Sequence, residues 1–374
     1  MGGKICHITT AHAANDDRIY IKECTSLSQE GYEVFLIAPE TSMPLTDVPV
    51  NIKFIPKEYS RFLRLIRGQW HALKEALKLK ASLYHFHDPE LVFMGLVLKF
   101  MGEKVIYDVH EDLPRQILTK EWLPSWSRKI IASIAELVEW IGAKFFDGII
   151  TVTPLIQKRF PPHKTILIQN FPILGELASM EETENHANHS SSFAYIGGIT
   201  ATRGIIEMVK ALEYIENFQV NLTLAGNFSS ENLYEEIKSY KGWEKVQYEG
   251  FVSRDKIAKI LGEAKAGLVV LHPIRNYIDA YPVKLFEYMS TGIPVIASDF
   301  PLWRQIIEDA QCGLLVNPLC PKEIAEAMKW ILEHPNEAEK MGQNGLKAVQ
   351  NTYNWENESK KLLGLYQKLL QKKI

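Results

Sequence analysis

Cysteine is scarce in this chain of 374 residues, and its four thiols, Cys6, Cys24, Cys312 and Cys320, show no C-x-x-C spacing. With no secretory context either, they read as reduced thiols of a cytoplasmic protein. No stretch reaches the roughly 20 apolar residues that a spanning helix needs. The opening MGGKICHITT lacks an apolar run of signal-peptide type. Position 6 is Cys, where myristoylation of Gly2 requires Ser or Thr. A soluble or peripheral protein is therefore expected. An excess of one charge is missing too: 42 Lys and Arg stand against 45 Asp and Glu, a formal net of −3. That balance argues against a nucleic-acid binder. With 46% hydrophobic and 23% charged residues the composition is globular, and the length exceeds one ordinary core, so two domains are expected.

Short β-rich runs alternate with helical patterns along the first half: KICHITT, YEVFLIAP, NIKFIP, SLYHFHD, KVIYDVHE and DGIITVT. Strands alternating with helices predict a doubly wound parallel sheet. The pattern lapses after TILIQNFP, where GELASMEETENHANHSSS is polar and aperiodic, and 173–192 reads as a linker. The second half repeats the grammar through FAYIGG, VNLTLAG, VQYEGFV, AGLVVLHP, PVIAS and CGLLVNP. Two Rossmann-like halves, each presenting the carboxyl edge of its sheet to a cleft, are the expectation.

The stretch NYIDAYPVKLFEYMSTGIPVIASD, residues 276–299, reads as loop, helix opened by Pro282 at its first position, Gly292 stop and buried strand. Following AGLVVLHP, it places a helix N-terminus at the carboxyl edge of a sheet. The free amides of Val283 and Lys284, the helix dipole and the Lys284 ammonium form a place for a phosphate or pyrophosphate. Glu287 follows Val283 by four residues, on the same helix face, and its oxygens suit a ribose diol. FAYIGGITATRGI puts Gly197 and Gly198 after a strand and Arg203 before a helix. That pattern fits an anion loop or a plain tight turn.

KLFEYMSTGIPVIASD resembles the E-x7-E region of the retaining glycosyltransferases of family 4, which have the GT-B fold. The first acidic position of that motif is Asp279 here rather than Glu. Gly198 stands where the family has Arg after the first glycine, and Arg203-Gly204 where Lys-Gly is commoner. The resemblance implies an α/β GT-B chain of two Rossmann-like doubly wound domains facing a central cleft. Residues 1–172 would be the acceptor-side domain, with helix 355–374 packing back on it, and 173–354 the nucleotide-sugar domain. It implies retaining transfer of a hexosyl unit from a UDP- or GDP-sugar to a hydroxyl of a glycan or lipid-linked acceptor, in bacterial surface polysaccharide synthesis, with no metal and no cofactor. The donor would be held by Gly197, Gly198, Arg203, Val283, Lys284 and Glu287, with Phe251 and Val252 lining the base pocket. His110, Arg203, Lys284 and Asp279 would serve catalysis, and Asp17, Arg18 and His87 the acceptor. A nucleotide-sugar epimerase and a catalytically silent sugar-nucleotide binding protein are the alternatives.

Four constellations keep a bland reading beside a functional one. His110 ends the strand of YDVHED, where a histidine is as often a structural hydrogen-bonder. HFHDPE adds His85, His87 and Asp88, but two His on one strand with no third nearby make poor zinc spacing, so His87 and Asp88 read as cleft-lining or structural. In AHAANDDRIYIKE, Asn15 and Asp16 fit a helix N-cap, with Asp17 and Arg18 left exposed. Finally, 57–80 carries seven Lys and Arg against two Glu, net +5, interleaved with Phe62, Leu65, Ile66 and Trp70. It reads as a helix, either docking on an anionic inner membrane face or simply solvated, with Arg61, Arg64 and Arg67 on the solvated side.

Overall fold

In the computed structural model, which describes residues 3–41, 48–120, 123–177 and 191–371, the chain divides into two compact units. Unit 1 comprises residues 1–170 with 356–374, and unit 2 comprises 171–355.

Unit 1 is built on seven parallel strands in the order β3-β2-β1-β4-β5-β6-β7. These are β1 (Lys4–Ile8), β2 (Glu33–Pro39), β3 (Asn51–Ile55), β4 (Leu83–Phe86), β5 (Val105–Val109), β6 (Gly148–Thr151) and β7 (Thr165–Leu167). Every residue of β4, β5 and β6 is buried, because helices cover both faces of the sheet. The order reverses between β1 and β4, which pair from Ile5↔Leu83 to Ile8↔Phe86. The helix Trp355–Leu370 lies against this unit. Its Tyr366 is fully buried, and the Glu358 carboxylate accepts from the Gln169 amide at 3.0 Å. The basic segment turns helical only at Arg61, runs to Leu79, and widens its turns over Arg64–Gly68.

Unit 2 carries six parallel strands in the order β10-β9-β8-β11-β12-β13. They are β8 (Ser192–Ile196), β9 (Asn221–Ala225), β10 (Val246–Gly250), β11 (Ala266–Val269), β12 (Val295–Ser298) and β13 (Gly313–Val316). Helix Val283–Ser290 crosses from β11 to β12 and buries Leu285, Phe286, Tyr288 and Met289. Pro282 is its N-cap, in extended conformation, so the helix begins one residue later than the sequence suggested. The Tyr288 hydroxyl accepts from the Ile196 amide at 3.0 Å, which ties this helix to β8. The close approach requires Gly267, since a Cβ there would stand 2.1 Å from the Tyr288 ring. The expected linker starts too early. Leu177 belongs to the core of unit 2, packed with Phe171, and 178–190 lies outside the described residues.

Candidate active site

In unit 2 the strand order reverses between β8 and β11, so the loop after β8 and the helix after β11 open at one place on the carboxyl edge. The loop bends at Gly197, with φ +129. A Cβ on Gly197 would lie 2.6 Å from Lys284 Nζ, so the glycine makes room for the ammonium. Arg203 Nη1 donates to the Gly198 carbonyl at 3.2 Å, and a Cβ on Gly198 would stand 3.1 Å from the same nitrogen. Gly204, with φ +72, lets the turn lie against the Val270 carbonyl, 1.8 Å from where a Cβ would sit. Gly197, Gly198, Arg203, Lys284 and the N-terminus of helix Val283–Ser290 thus converge, as the sequence predicted. Burial, reinforced by Arg203, lowers the Lys284 ammonium to about 8. Two cations brought together beside a helix N-terminus make an arrangement that suits an anionic group.

Glu287, one turn into that helix, is held by a partner the sequence did not reveal. Arg254 Nη1 meets Glu287 Oε1 at 2.8 Å, while its other Nη lies 3.3 Å from Glu176. Phe251, just past β10, is 71% exposed, which leaves its ring face available for a planar ligand. Val252 beside it packs on the core, and Asp279 ends the short helix Arg275–Ile278.

In unit 1 the carboxyl ends of β1, β4 and β5 gather His7, His85, His87, Asp108 and His110, joined by Arg18 and Glu23 from helix Asp17–Cys24. Arg18 was expected to be exposed to an acceptor but is buried, because Asp108 takes its Nε at 3.1 Å and its Nη2 at 3.0 Å. His87, also expected on the acceptor side, is 1% exposed; its Nε2 meets His7 Nδ1 at 3.0 Å. Asp17 pairs with Lys22 at 2.9 Å and keeps part of its surface. Asp16 caps the helix, accepting from the Arg18 and Ile19 amides at 3.0 Å each. Asp88 is structural: it is buried and accepts from Thr10 N at 2.5 Å and Ala11 N at 3.1 Å, closing the loop after β1. His110 reaches the edge of the cluster, with its Nε2 3.1 Å from Asp108 Oδ2 and its side chain 14% exposed.

Burial keeps His7 and His85 well below the usual imidazole range and lowers His87 to about 4, while it raises Glu23. The spacing argument against a metal fails here, since β1 supplies the third histidine. His7, His85, His87 and Glu23 offer donor atoms within 4.8 Å of one another, a set that could hold a divalent cation. The same atoms also chain through hydrogen bonds, with Tyr366 Oη 2.7 Å from His85 Nδ1 and 3.0 Å from His7 Nε2.

Two family models match, Glycosyltransferase Family 4 over residues 21–166 and Glycosyl transferases group 1 over 179–348. The chain belongs to the GT-B glycosyltransferases of group 1 and family 4. It is 26% identical to an uncharacterized glycosyltransferase of Methanocaldococcus jannaschii over 174 residues, 46% of this chain and 43% of that one. Against a D-rhamnosyltransferase of Pseudomonas aeruginosa it is 25% identical over 269 residues, 70% of this chain and 66% of that one. These matches span between less than half and about two thirds of the relatives' own lengths. Among solved structures, Anabaena HepE in complex with UDP-glucose superposes with a TM-score of 0.73 at 13% identity, covering 98% of this chain and 100% of that one. Of the residues that sequence reading missed, Arg254 and His7 lie far in sequence from the groups they touch, while Glu23 meets Arg18 on its own helix at 3.1 Å. Only Glu23, an acid inside an otherwise apolar helix face, carried a local sign of burial.

Proposed function

We propose that the protein transfers a hexosyl group from a UDP- or GDP-sugar to a hydroxyl of a glycan or lipid-linked acceptor, with retained anomeric configuration. The observation that carries this reading is the convergence of Lys284, Arg203, the Gly197-Gly198 loop and a helix N-terminus at the β8/β11 reversal. In the proposed reaction the bond from the anomeric carbon to the diphosphate oxygen breaks, the acceptor oxygen bonds to that carbon, and the acceptor's hydroxyl proton passes to the departing diphosphate oxygen. The leaving diphosphate gains charge as it departs, and Lys284, Arg203 and the amides of Val283 and Lys284 stabilise it. These cations take the part a metal would otherwise play, so the transfer is proposed to need none and no other cofactor. Glu287 takes the ribose diol, and Phe251 with Val252 the base.

In unit 1, His110 is the proposed contact to the sugar, its imidazole steadied by Asp108. Of the acceptor-side candidates only Asp17 retains the exposure such a contact needs, which removes Arg18 and His87 from direct binding. A role in surface polysaccharide synthesis, in the cytoplasm at the inner face of a membrane, belongs to the same proposal. Among the described residues no helix is long and apolar enough to cross a membrane.

Incubation with labelled UDP- and GDP-sugars tests the reading. Donor hydrolysis with release of the nucleoside diphosphate is expected, and Arg203→Ala should cut turnover far more than it weakens binding of the bare nucleoside. Tight nucleotide-sugar binding with no hydrolysis and no transfer would favour the silent binding protein, and interconversion of sugar epimers the epimerase.

A further inference from the structure

Unit 1 turns an apolar helical surface outward. Helices Gln69–Leu79, Val92–Phe100 and Ser125–Phe145 lie side by side on its sheet. Ser125–Phe145 meets the core through small or polar residues, namely Ala132, Glu139, Gly142 and Ala143. Its larger apolar side chains point away: Trp126 is 73% exposed, Ile134 56%, Leu137 54% and Trp140 51%. The spacing of Trp126, Ile130, Ile134, Leu137 and Ile141 follows the helical period, so these residues form one stripe opposite the core. The adjoining helix continues the surface with Phe93 and Phe100, and the 57–80 segment with Phe62 and Trp70, all more than half exposed. Scattered exposed apolar side chains are ordinary on a surface. A stripe shared by three neighbouring helices is not.

The charge around this surface selects its occupant. Residues 57–80, 92–104 and 113–145 carry fourteen Lys and Arg against six Asp and Glu, and Glu90, Asp147 and Asp112 just outside them pair with Arg64, Lys99 and Arg115, which leaves a net of +5 in a chain whose total is −3. Arg67, Lys74, Lys129 and Lys144 are exposed, and Lys144 Nζ lies 3.5 Å from the Trp140 ring centroid, a cation over an aromatic of the stripe. Arg64 does not contribute as the sequence implied, because it is ion-paired with Glu90. A second copy of the chain docked on this face would set positive charge against positive charge. An anionic bilayer instead offers acyl chains to the stripe and headgroup phosphates to its rim.

We propose that unit 1 lies on an anionic membrane surface through helix Ser125–Phe145 and its two neighbours, with the tryptophans at the level of the headgroups. This deepens the lipid-linked acceptor reading of the proposed function and rests on it only for the purpose of docking.

The test is co-sedimentation of the full chain with phosphatidylglycerol and with phosphatidylcholine vesicles, followed also by tryptophan emission. Binding to the anionic vesicles with a blue shift is expected, together with little binding to the neutral ones and weakening in high salt. Ile134→Glu with Leu137→Glu should lower partitioning by about tenfold or more, and so should Arg67→Glu with Lys74→Glu. Trp140→Phe should keep it, and thermal melts should show the variants folded. Absence of binding at low salt overturns the proposal, as does binding that Ile134→Glu with Leu137→Glu leaves unchanged. A dimer in solution that these substitutions dissociate, with no vesicle binding, assigns the face to a second copy and overturns it too. UDP- and GDP-sugar hydrolysis measured without vesicles judges the transfer reaction separately. Vesicle binding by a chain that ignores all donors would sink that reaction and leave the docking surface standing.

Discussion

Burial and the neighbouring Arg203 hold Lys284 at about 8, well below its ordinary 10.5. An arriving diphosphate pairs with the ammonium and draws it back toward the ordinary value. Below about pH 8 the site is already charged, so nucleoside-diphosphate affinity should be flat there and fall as pH rises through that value. Above it, binding should take up a proton, visible as a calorimetric heat that varies with the ionisation enthalpy of the buffer. Lys284→Gln should abolish the proton uptake and weaken binding, since a charged hydrogen bond contributes about 1.5–3 kcal/mol. The Glu287 pair with Arg254 sharpens a second test. Glu287→Ala should lower nucleotide affinity by a similar amount, whereas Arg254→Ala frees the carboxylate and should leave affinity near that of the wild type. Equal losses in titration calorimetry would place Glu287 in a structural ion pair rather than on the ribose.

Among the elements, helix Asp17–Cys24 differs most from its sequence-based reading, because it sends Arg18 into the sheet edge, beside Glu23, instead of toward solvent. Arg18→Ala leaves Asp108 buried without its cation, and breaking a buried pair from one side costs about 3–5 kcal/mol. Urea unfolding should show that loss in full, and Arg18→Lys should recover only part of it, because the guanidinium spans Asp108 with two nitrogens. A change in acceptor kinetics without loss of stability would mean that Arg18 reaches substrate after all. The turn at Gly204 is as strict in unit 2. Gly204→Ala forces a methyl onto the Val270 carbonyl at positive φ, so Arg203 should lose its placement and the variant its nucleotide binding.

At the scale of the whole molecule, each unit buries its own core around its own sheet, so each should melt as its own cooperative step. A nucleoside diphosphate at about 100 times its Kd adds about 2.7 kcal/mol to the unit that binds it. Calorimetry should therefore show unit 2 shifting up and unit 1 holding still. Acid should do the reverse. His87 is held at about 4 by burial, and His7 and His85 are lowered in the same direction. The unfolded chain binds protons at these histidines from the ordinary 6.5 downward while the folded one does not, so stability is complete above 6.5 and lost as pH falls toward 4. Glu23, raised by burial, acts with the opposite sign, losing stability as pH rises past 4.5. Three histidines outweigh one carboxyl, so the unit 1 transition should fall on acidification, by at most about 1.4 kcal/mol per pH unit for each group titrating.

The fold was legible, and so was the meeting of the Gly197-Gly198 loop with the helix Val283–Ser290, because both rest on local signals. Apolar runs of strand length punctuated by turns declare the two sheets, and the Gly197-Gly198 loop and the VKLFE helix each carry their glycines, cations and helix start within a dozen residues. Tertiary structure alone decided the rest. Arg254 reaches Glu287 across 33 residues, and His7 reaches His87 across 80. No periodicity encodes which side chains a parallel sheet sets beside each other at its carboxyl edge. That juxtaposition made Arg18 and His87 interior groups. It also left the apolar stripe of Ser125–Phe145 facing outward, since small residues on the opposite side were what the core could accommodate.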